Sequence, residues 1–103
     1  MKSENNLLQL EQALQLQEVQ VENKLIGAKS KYELQQENTA LADLIYRNAI
    51  AKEQIGKDNA LVVTQKHNQL LMAQAQYIAS IIELLEAQLE KDKLYNQLIA
   101  NKQ

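Results

Sequence analysis

Residues 55–64, Ile-Gly-Lys-Asp-Asn-Ala-Leu-Val-Val-Thr, are the one place where a long helical pattern in this chain has a reason to stop. There is no proline, and Gly56 is the second of only two glycines. Glycine can take the positive backbone dihedral that ends a helix. Asp58 and Asn59 then offer short side-chain acceptors to the first turn of a following helix. This stretch predicts a helix stop, a turn and a helix start.

The rest of the chain is strongly biased to helix. It is rich in the best helix formers, and it has no Phe or Trp to fill a globular core. A short loop makes two consecutive helices antiparallel neighbours. The predicted fold is therefore all-α, a long antiparallel two-helix coiled-coil hairpin that forms a single domain over residues 1–103. We expect helix 1 at about 4–55, the tip at 56–59 and helix 2 at about 60–100.

Each helix carries two stripes of residues at alternating steps of three and four, the repeat that keeps a seam facing a partner helix. The first stripe of helix 1 is Val21, Leu25, Ala28, Tyr32, Gln35, Thr39, Ala42, Tyr46 and Ala49. That of helix 2 is Val63, His67, Leu70, Gln74, Tyr77, Ile81 and Leu84. The second stripes are Ile26, Leu34, Leu41, Leu44, Ala51 and Ile55 on helix 1, and Asn68, Leu71, Ala75, Ile78, Ile82, Leu85 and Leu89 on helix 2.

Two stripes on one helix suggest two neighbours, so we expect the chain to associate with itself through the second stripes. A turn centred near 57–58 pairs residues whose numbers sum to about 115, which places Tyr32 near Glu83 and Leu25 near Glu90. The residues expected to carry helix packing are Leu25, Tyr32, Leu41, Tyr46, Leu70, Leu71, Tyr77, Ile78, Ile82 and Leu85.

Few residues could carry chemistry. His67 is the only histidine, cysteine is absent, and a metal site needs three or four clustered ligands. There is no nucleophile–base arrangement and no Gly-rich phosphate loop. We expect no enzymatic activity, no cofactor and no metal. His67 is better explained as a seam or surface residue than as a ligand.

Charge and hydropathy exclude two further classes of function. Eleven basic and thirteen acidic residues are interspersed, so no basic stripe is present to bind nucleic acid. The longest uninterrupted apolar runs, 60–63 and 70–73, are far shorter than the roughly 20 residues of a membrane span. We expect no direct membrane span in this segment.

The residues around the turn carry a family resemblance. The run Asn38-Thr39-Ala40-Leu41-Ala42-Asp43-Leu44-Ile45-Tyr46-Arg47 precedes Ile55-Gly56, and residues 60–65 follow, Ala-Leu-Val-Val-Thr-Gln. Helix 2 then carries Asn68, Leu70, Ala73 and Tyr77 in the spacing Asn-x-Leu-x-x-Ala-x-x-x-Tyr. Together these resemble the α-helical hairpin of TolC-type outer-membrane efflux proteins, and most closely the second of the two hairpins that such proteins carry.

The resemblance implies a segment of a trimeric exit duct, whose helices close into an α-barrel in the periplasm of a Gram-negative bacterium. The hairpin tip would dock a periplasmic adaptor protein. By position, the docking residues would be Gly56, Lys57, Asp58, Asn59, Leu61, Val62 and Val63. A signal peptide and the membrane strands of such a duct are not in this sequence, so we expect a fragment of a longer parent protein.

Three departures from the family pattern concern the tip. Gly56 comes ten residues after Tyr46 instead of three, Lys57 replaces a hydrophobic residue, and Val62 stands where an aspartate is common. Two alternatives stay open. One is the hairpin of the adaptor itself, although the arginine–leucine pair and the serine typical of its tip are missing here. The other is a structural coiled coil with no role in transport.

Overall fold

A computed structural model of the protein describes residues 2–101, with side chains from residue 5 to residue 100. Two helices, α1 (Lys2–Gln54) and α2 (Ala60–Asn101), are joined by a turn at residues 55–59. Residues 2–101 contain no strand. The predicted all-α fold, an antiparallel helical hairpin, is confirmed.

The chain divides into two compact units. Unit 1 combines the residues up to Lys29 with those from Glu83 onward, and unit 2 consists of Ser30–Ile82, including the turn. In unit 1 a small core forms where Leu25 and Ala28 of α1 meet Ala87 of α2, with Leu84 packed against them. In unit 2 the most buried positions are Ala49, Leu70 and Ser80.

We call the residues of each helix that are buried or half-buried at the steps of three and four its inner seam. On α1 the inner seam contains every residue that the sequence pattern assigned to the first stripe, from Val21 to Ala49. Large and small side chains alternate along it, as at Leu25 and Ala28. On α2 the inner seam is Val63, Lys66, Leu70, Ala73, Tyr77, Ser80, Leu84, Ala87, Lys91, Leu94 and Leu98.

The inner seam of α2 differs in part from the predicted stripe. His67 and Gln74 are exposed, and their places in the repeat are taken by Lys66 and Ala73. Ser80 is fully buried beside the half-buried Ile81. Both repeats share Val63, Leu70, Tyr77 and Leu84, so a small rotation of the helix about its axis decides which residues between them face α1. At two of the three positions the structure turns the smaller residue inward, Ala73 in place of Gln74 and Ser80 in place of Ile81.

One contact differs clearly from the predicted pairing of residues whose numbers sum to about 115. Tyr32 packs against Tyr77, whereas the arithmetic pairs it with Glu83. Nearer the turn, Thr39 donates to the backbone carbonyl of Ala73, and the ring of Tyr46 lies on that of His67. Long aromatic side chains lean along the helix axis, so the ring contacts do not follow the level of the backbone.

Candidate functional site

Backbone hydrogen bonds close the turn. The amide of Lys57 donates to the carbonyl of Lys52 at 2.8 Å, and that of Gly56 donates to the carbonyl of Glu53 at 3.0 Å. This pair of bonds is a Schellman motif, and it requires a left-handed residue after the helix. Gly56 supplies that residue with a φ of 76°, the only positive φ among the described residues. The carbonyls of Lys52 and Glu53 near the end of α1 are therefore satisfied without any side chain.

Asn59 begins α2. Its Oδ1 accepts the amide of Val62 at 3.1 Å, three residues on, as an N-cap side chain does. The first turn of α2 contains no acidic residue to complement the positive end of the helix dipole. The cap is therefore the main polar stabilisation at the start of α2.

The predicted docking residues separate into two groups. Gly56, Lys57, Asn59 and Leu61 are exposed, and Leu61 keeps 65% of its surface. Asp58, Val62 and Val63 are half-buried, and Val63 belongs to the inner seam. Ile55 is not among the predicted tip residues, yet it is 67% exposed just before Gly56. The tip therefore presents two exposed apolar side chains, Ile55 and Leu61, on either side of a closed turn.

A polar layer interrupts the apolar packing of unit 2. The rings of Tyr32 and Tyr77 meet edge to face with centroids 5.5 Å apart, and the hydroxyl of Tyr77 donates to that of Tyr32 at 3.2 Å. This hydrogen bond is the largest cause that raises the pKa of Tyr77, with desolvation second. Thr39 Oγ1 lies 2.8 Å from the carbonyl oxygen of Gln35 and 3.2 Å from that of Ala73. The buried Oε1 of Gln35 has no hydrogen-bond partner.

His67 lies on the surface. Its ring packs on Tyr46 with centroids 5.0 Å apart and planes tilted by 32°. Among the described residues, no group of three or more His, Cys, Asp or Glu side chains could hold a metal ion. The expectation that the chain is not an enzyme stays a prediction.

The ten residues expected to carry helix packing also fall into two groups. Leu25, Tyr32, Tyr46, Leu70 and Tyr77 lie in the inner seams. The other five do not pack between the two helices of this chain; their exposed fractions are 56% for Leu41, 48% for Leu71, 58% for Ile78, 51% for Ile82 and 64% for Leu85. Contact of these five with another chain remains a prediction.

The exposed side of α2 in unit 2 lacks charge. From His67 to Ile82, sixteen consecutive residues include no Asp, Glu, Lys or Arg. Leu71, Met72, Ile78 and Ile82 are exposed within this stretch. The cores of protein interfaces are depleted of charged residues in the same way. This charge-free stretch is visible in the sequence, but the repeat pattern alone did not identify it as a site.

Two ion pairs connect the two helices in unit 1. Lys24 Nζ lies 2.8 Å from Glu90 Oε1, and Lys91 Nζ lies 3.0 Å from Glu22 Oε1. The hydrogen bonds to these carboxylates raise the pKa values of both lysines. Lys91 also lies 5.8 Å from the centroid of the Tyr95 ring. Both pairs are open to solvent, so they align the helices more than they stabilise the fold.

Three comparisons with known proteins bear on identity, and the hydropathy of α2 bears on membrane association. No protein-family model, no curated protein and no solved structure matches the chain. Within the described residues, the segment Ala60–Ala100 of α2 is long and apolar enough to cross a membrane by length and composition, with a mean hydropathy of 1.2 over its most apolar window. Only 17% of that window is buried. Because a soluble packing helix can meet the same criterion, this finding is weak evidence for a span.

Proposed function

We propose that the chain is a structural segment of a periplasmic α-helical duct of the TolC type, used in efflux or secretion. One observation carries the proposal: each helix has a second apolar stripe that its partner in the hairpin leaves exposed, as at Leu41 and Ile78. A helix that stands in the wall of a barrel needs a neighbour on both sides. A helix in an isolated hairpin needs a neighbouring helix on only one side.

We further propose that the tip of the hairpin docks to a periplasmic adaptor protein. Its turn is closed by backbone hydrogen bonds and by the Asn59 cap, so it presents a defined surface. On that surface Ile55 and Leu61 are apolar anchors, and Lys57 is an exposed cation at the rim. Apolar anchors with a polar rim are the usual composition of a protein-docking patch. The parent would be a trimer that spans the periplasm to the outer membrane.

The coding sequence around this segment in its source genome tests the proposal. A signal sequence and predicted β-strands on both sides of the hairpin would support the duct. A lipoyl-like domain interrupted by the hairpin would instead assign it to an adaptor. If neither is found, the chain is a structural coiled coil without a role in transport.

A biochemical test addresses the tip directly. A photoreactive side chain at position 57 should cross-link to the purified helical hairpin of an adaptor from the same organism. The Lys57 side chain is exposed, so the turn should tolerate its replacement. Position 29, an exposed lysine of α1 far along the chain from the turn, is the matched control and should not cross-link to the adaptor. Equal labelling from both positions would argue against docking by the tip.

A further inference from the structure

Within unit 2, α2 carries two competing repeats that share Val63, Leu70 and Tyr77. The observed repeat adds the residues that the structure turns towards α1, namely Lys66, Ala73 and Ser80. The alternative repeat adds the residues that follow these in sequence, namely His67, Gln74 and Ile81. Because adjacent residues are turned by about 100° and the shared residues belong to both repeats, the two differ by a rotation of α2 of about 50° about its own axis.

Apolar burial alone does not choose between the two repeats. Turning the alternative repeat inward would exchange Ser80 for Ile81, which favours the alternative. It would also exchange Ala73 for Gln74, and burial of a polar amide opposes the rotation. The gain and the loss oppose each other, so the rotation of α2 needs a further determinant.

The polar layer of Tyr32, Gln35, Thr39 and Tyr77 depends on this rotation. The hydroxyl of Tyr77 donates to that of Tyr32 at 3.2 Å, and Thr39 Oγ1 lies 3.2 Å from the carbonyl oxygen of Ala73. A rotation of about 50° moves a backbone atom at the helix radius of about 2.3 Å by about 2 Å. A backbone carbonyl has no rotamer with which to compensate, so its hydrogen bond to Thr39 would break. The hydroxyl of Tyr77 lies farther from the axis and would move farther.

Stability alone does not explain the polar layer. The Oε1 of Gln35 is buried without a hydrogen-bond partner, and an acceptor in that position lowers the stability of the fold. Apolar side chains would avoid this cost. In coiled coils a single buried asparagine fixes the register of the helices at a cost in stability. The polar layer has the composition of a device of this kind, which favours one arrangement over others.

We propose that the polar layer selects the rotation of α2 about its axis. While the hydrogen bonds from Thr39 and between the two tyrosines are intact, the observed repeat faces α1. Without them, α2 turns by about 50° in at least about half of the chains and brings the alternative repeat inward. The device would act in any hairpin with these two repeats, so it does not depend on a role in transport.

Thiol labelling can follow the rotation, because the native chain has no cysteine. Ser80→Cys places a thiol in the observed repeat, at a fully buried position. Gln74→Cys places one in the alternative repeat, at an exposed position. With the polar layer intact, Ser80→Cys should react with a small aromatic disulfide reagent at least about tenfold more slowly than Gln74→Cys, since a buried thiol reacts only through local opening.

The same two thiols are then measured in a chain whose polar layer is made apolar by Tyr32→Phe, Gln35→Leu, Thr39→Val and Tyr77→Phe. Ser80→Cys should now react at least about tenfold faster, because the rotation turns it outward. Gln74→Cys should react at least about twofold more slowly, because at least half of the chains now turn it inward. Asn68 is exposed and lies on the side of α2 away from α1 in both rotations, so the rate of Asn68→Cys should not change.

Thr64→Val is the matched control for the loss of a threonine hydroxyl. Thr64 Oγ1 also donates to a carbonyl, that of Ala60 at 3.0 Å, but this bond lies within its own helix. Thr64→Val should therefore leave both thiol rates unchanged. Circular dichroism checks that the chain with the apolar layer keeps its helices. If it does not, Thr39→Val alone carries the test, with rate changes in the same two directions.

Opposite changes at positions 80 and 74 would support the proposal. Unchanged rates would show that the polar layer does not select the rotation, and faster labelling at both positions would show a looser hairpin without a second rotation. Slower labelling of Asn68→Cys would assign the protection of position 74 to association between chains. Each of these three results overturns the proposal. The proposed duct is judged separately, by the surrounding gene and by cross-linking of the tip to an adaptor.

Discussion

The hydroxyl of Tyr77 donates to the hydroxyl of Tyr32 across the seam of unit 2, while the two rings meet edge to face at 68°. Tyrosine suits such a position because its ring packs against apolar neighbours while its hydroxyl finds a polar partner. The contact joins residues 45 positions apart in sequence. It therefore reports directly on whether the two helices of unit 2 are packed against each other.

We expect the stability of the hairpin to fall at alkaline pH through Tyr77. Its pKa is raised above 10.0 in the folded chain, so the protonated hydroxyl contributes fully below that value. The contribution is lost as pH rises through the folded pKa. At pH values below 10, Tyr77→Phe should unfold at a lower urea concentration than the wild type. Its stability should also fall less than that of the wild type as the pH rises above 10. Tyr95→Phe, at an exposed tyrosine, is the control, and an unchanged alkaline profile in Tyr77→Phe would contradict the assignment.

The two glycines should respond oppositely to alanine. Gly56 has a φ of 76°, a conformation that costs a residue with a Cβ about 1–2 kcal/mol, so Gly56→Ala should destabilise the chain by that amount. Gly27 lies inside α1, and nothing lies within 4 Å of the place that an alanine methyl group would occupy. Gly27→Ala should therefore stabilise by up to about 1 kcal/mol through helix propensity. Urea denaturation of both variants measures the contrast, and equal effects would refute the conformational argument.

The cap at Asn59 should be measurable by itself. Asn59→Ala removes the acceptor for the Val62 amide and should cost about 1 kcal/mol. Asn59→Asp keeps the acceptor and adds a negative charge next to a first turn that contains no acidic residue, so it should equal or exceed the wild type in stability. A salt titration of the Asp variant checks the charge effect, which should weaken as ionic strength rises. If the alanine variant were as stable as the wild type, the cap would have no energetic role.

Replacing a small residue of the inner seam by a large one should destabilise the fold. Ser80 is fully buried, so Ser80→Leu should destabilise by about 1–3 kcal/mol through overpacking. Ser80→Ala should change stability by no more than about 0.5–1.5 kcal/mol, the usual range for one hydrogen bond, because the hydroxyl bonds only to the Tyr77 carbonyl of its own helix. The adjacent Ala79 is exposed and Ala79→Leu is the matched control. Chemical denaturation that showed the same cost at both positions would contradict close packing at Ser80.

The sequence by itself determined the helices, the turn and one of the two inner seams. Helix propensity, the absence of proline and the backbone freedom of Gly56 are local properties, and they require no knowledge of the partner helix. The α1 seam from Val21 to Ala49 followed from its repeat because no competing repeat shares its large residues.

Only the tertiary structure decided the α2 seam and the alignment of Tyr32 with Tyr77. Two repeats on α2 share Leu70, Tyr77 and Leu84, and hydrophobicity alone favours Ile81 over Ser80 as the inward residue. The choice depends on the rotation of α2 about its axis, which is set by the fit of the α2 side chains against those of α1. That fit joins residues distant in the chain, so no local pattern contains it.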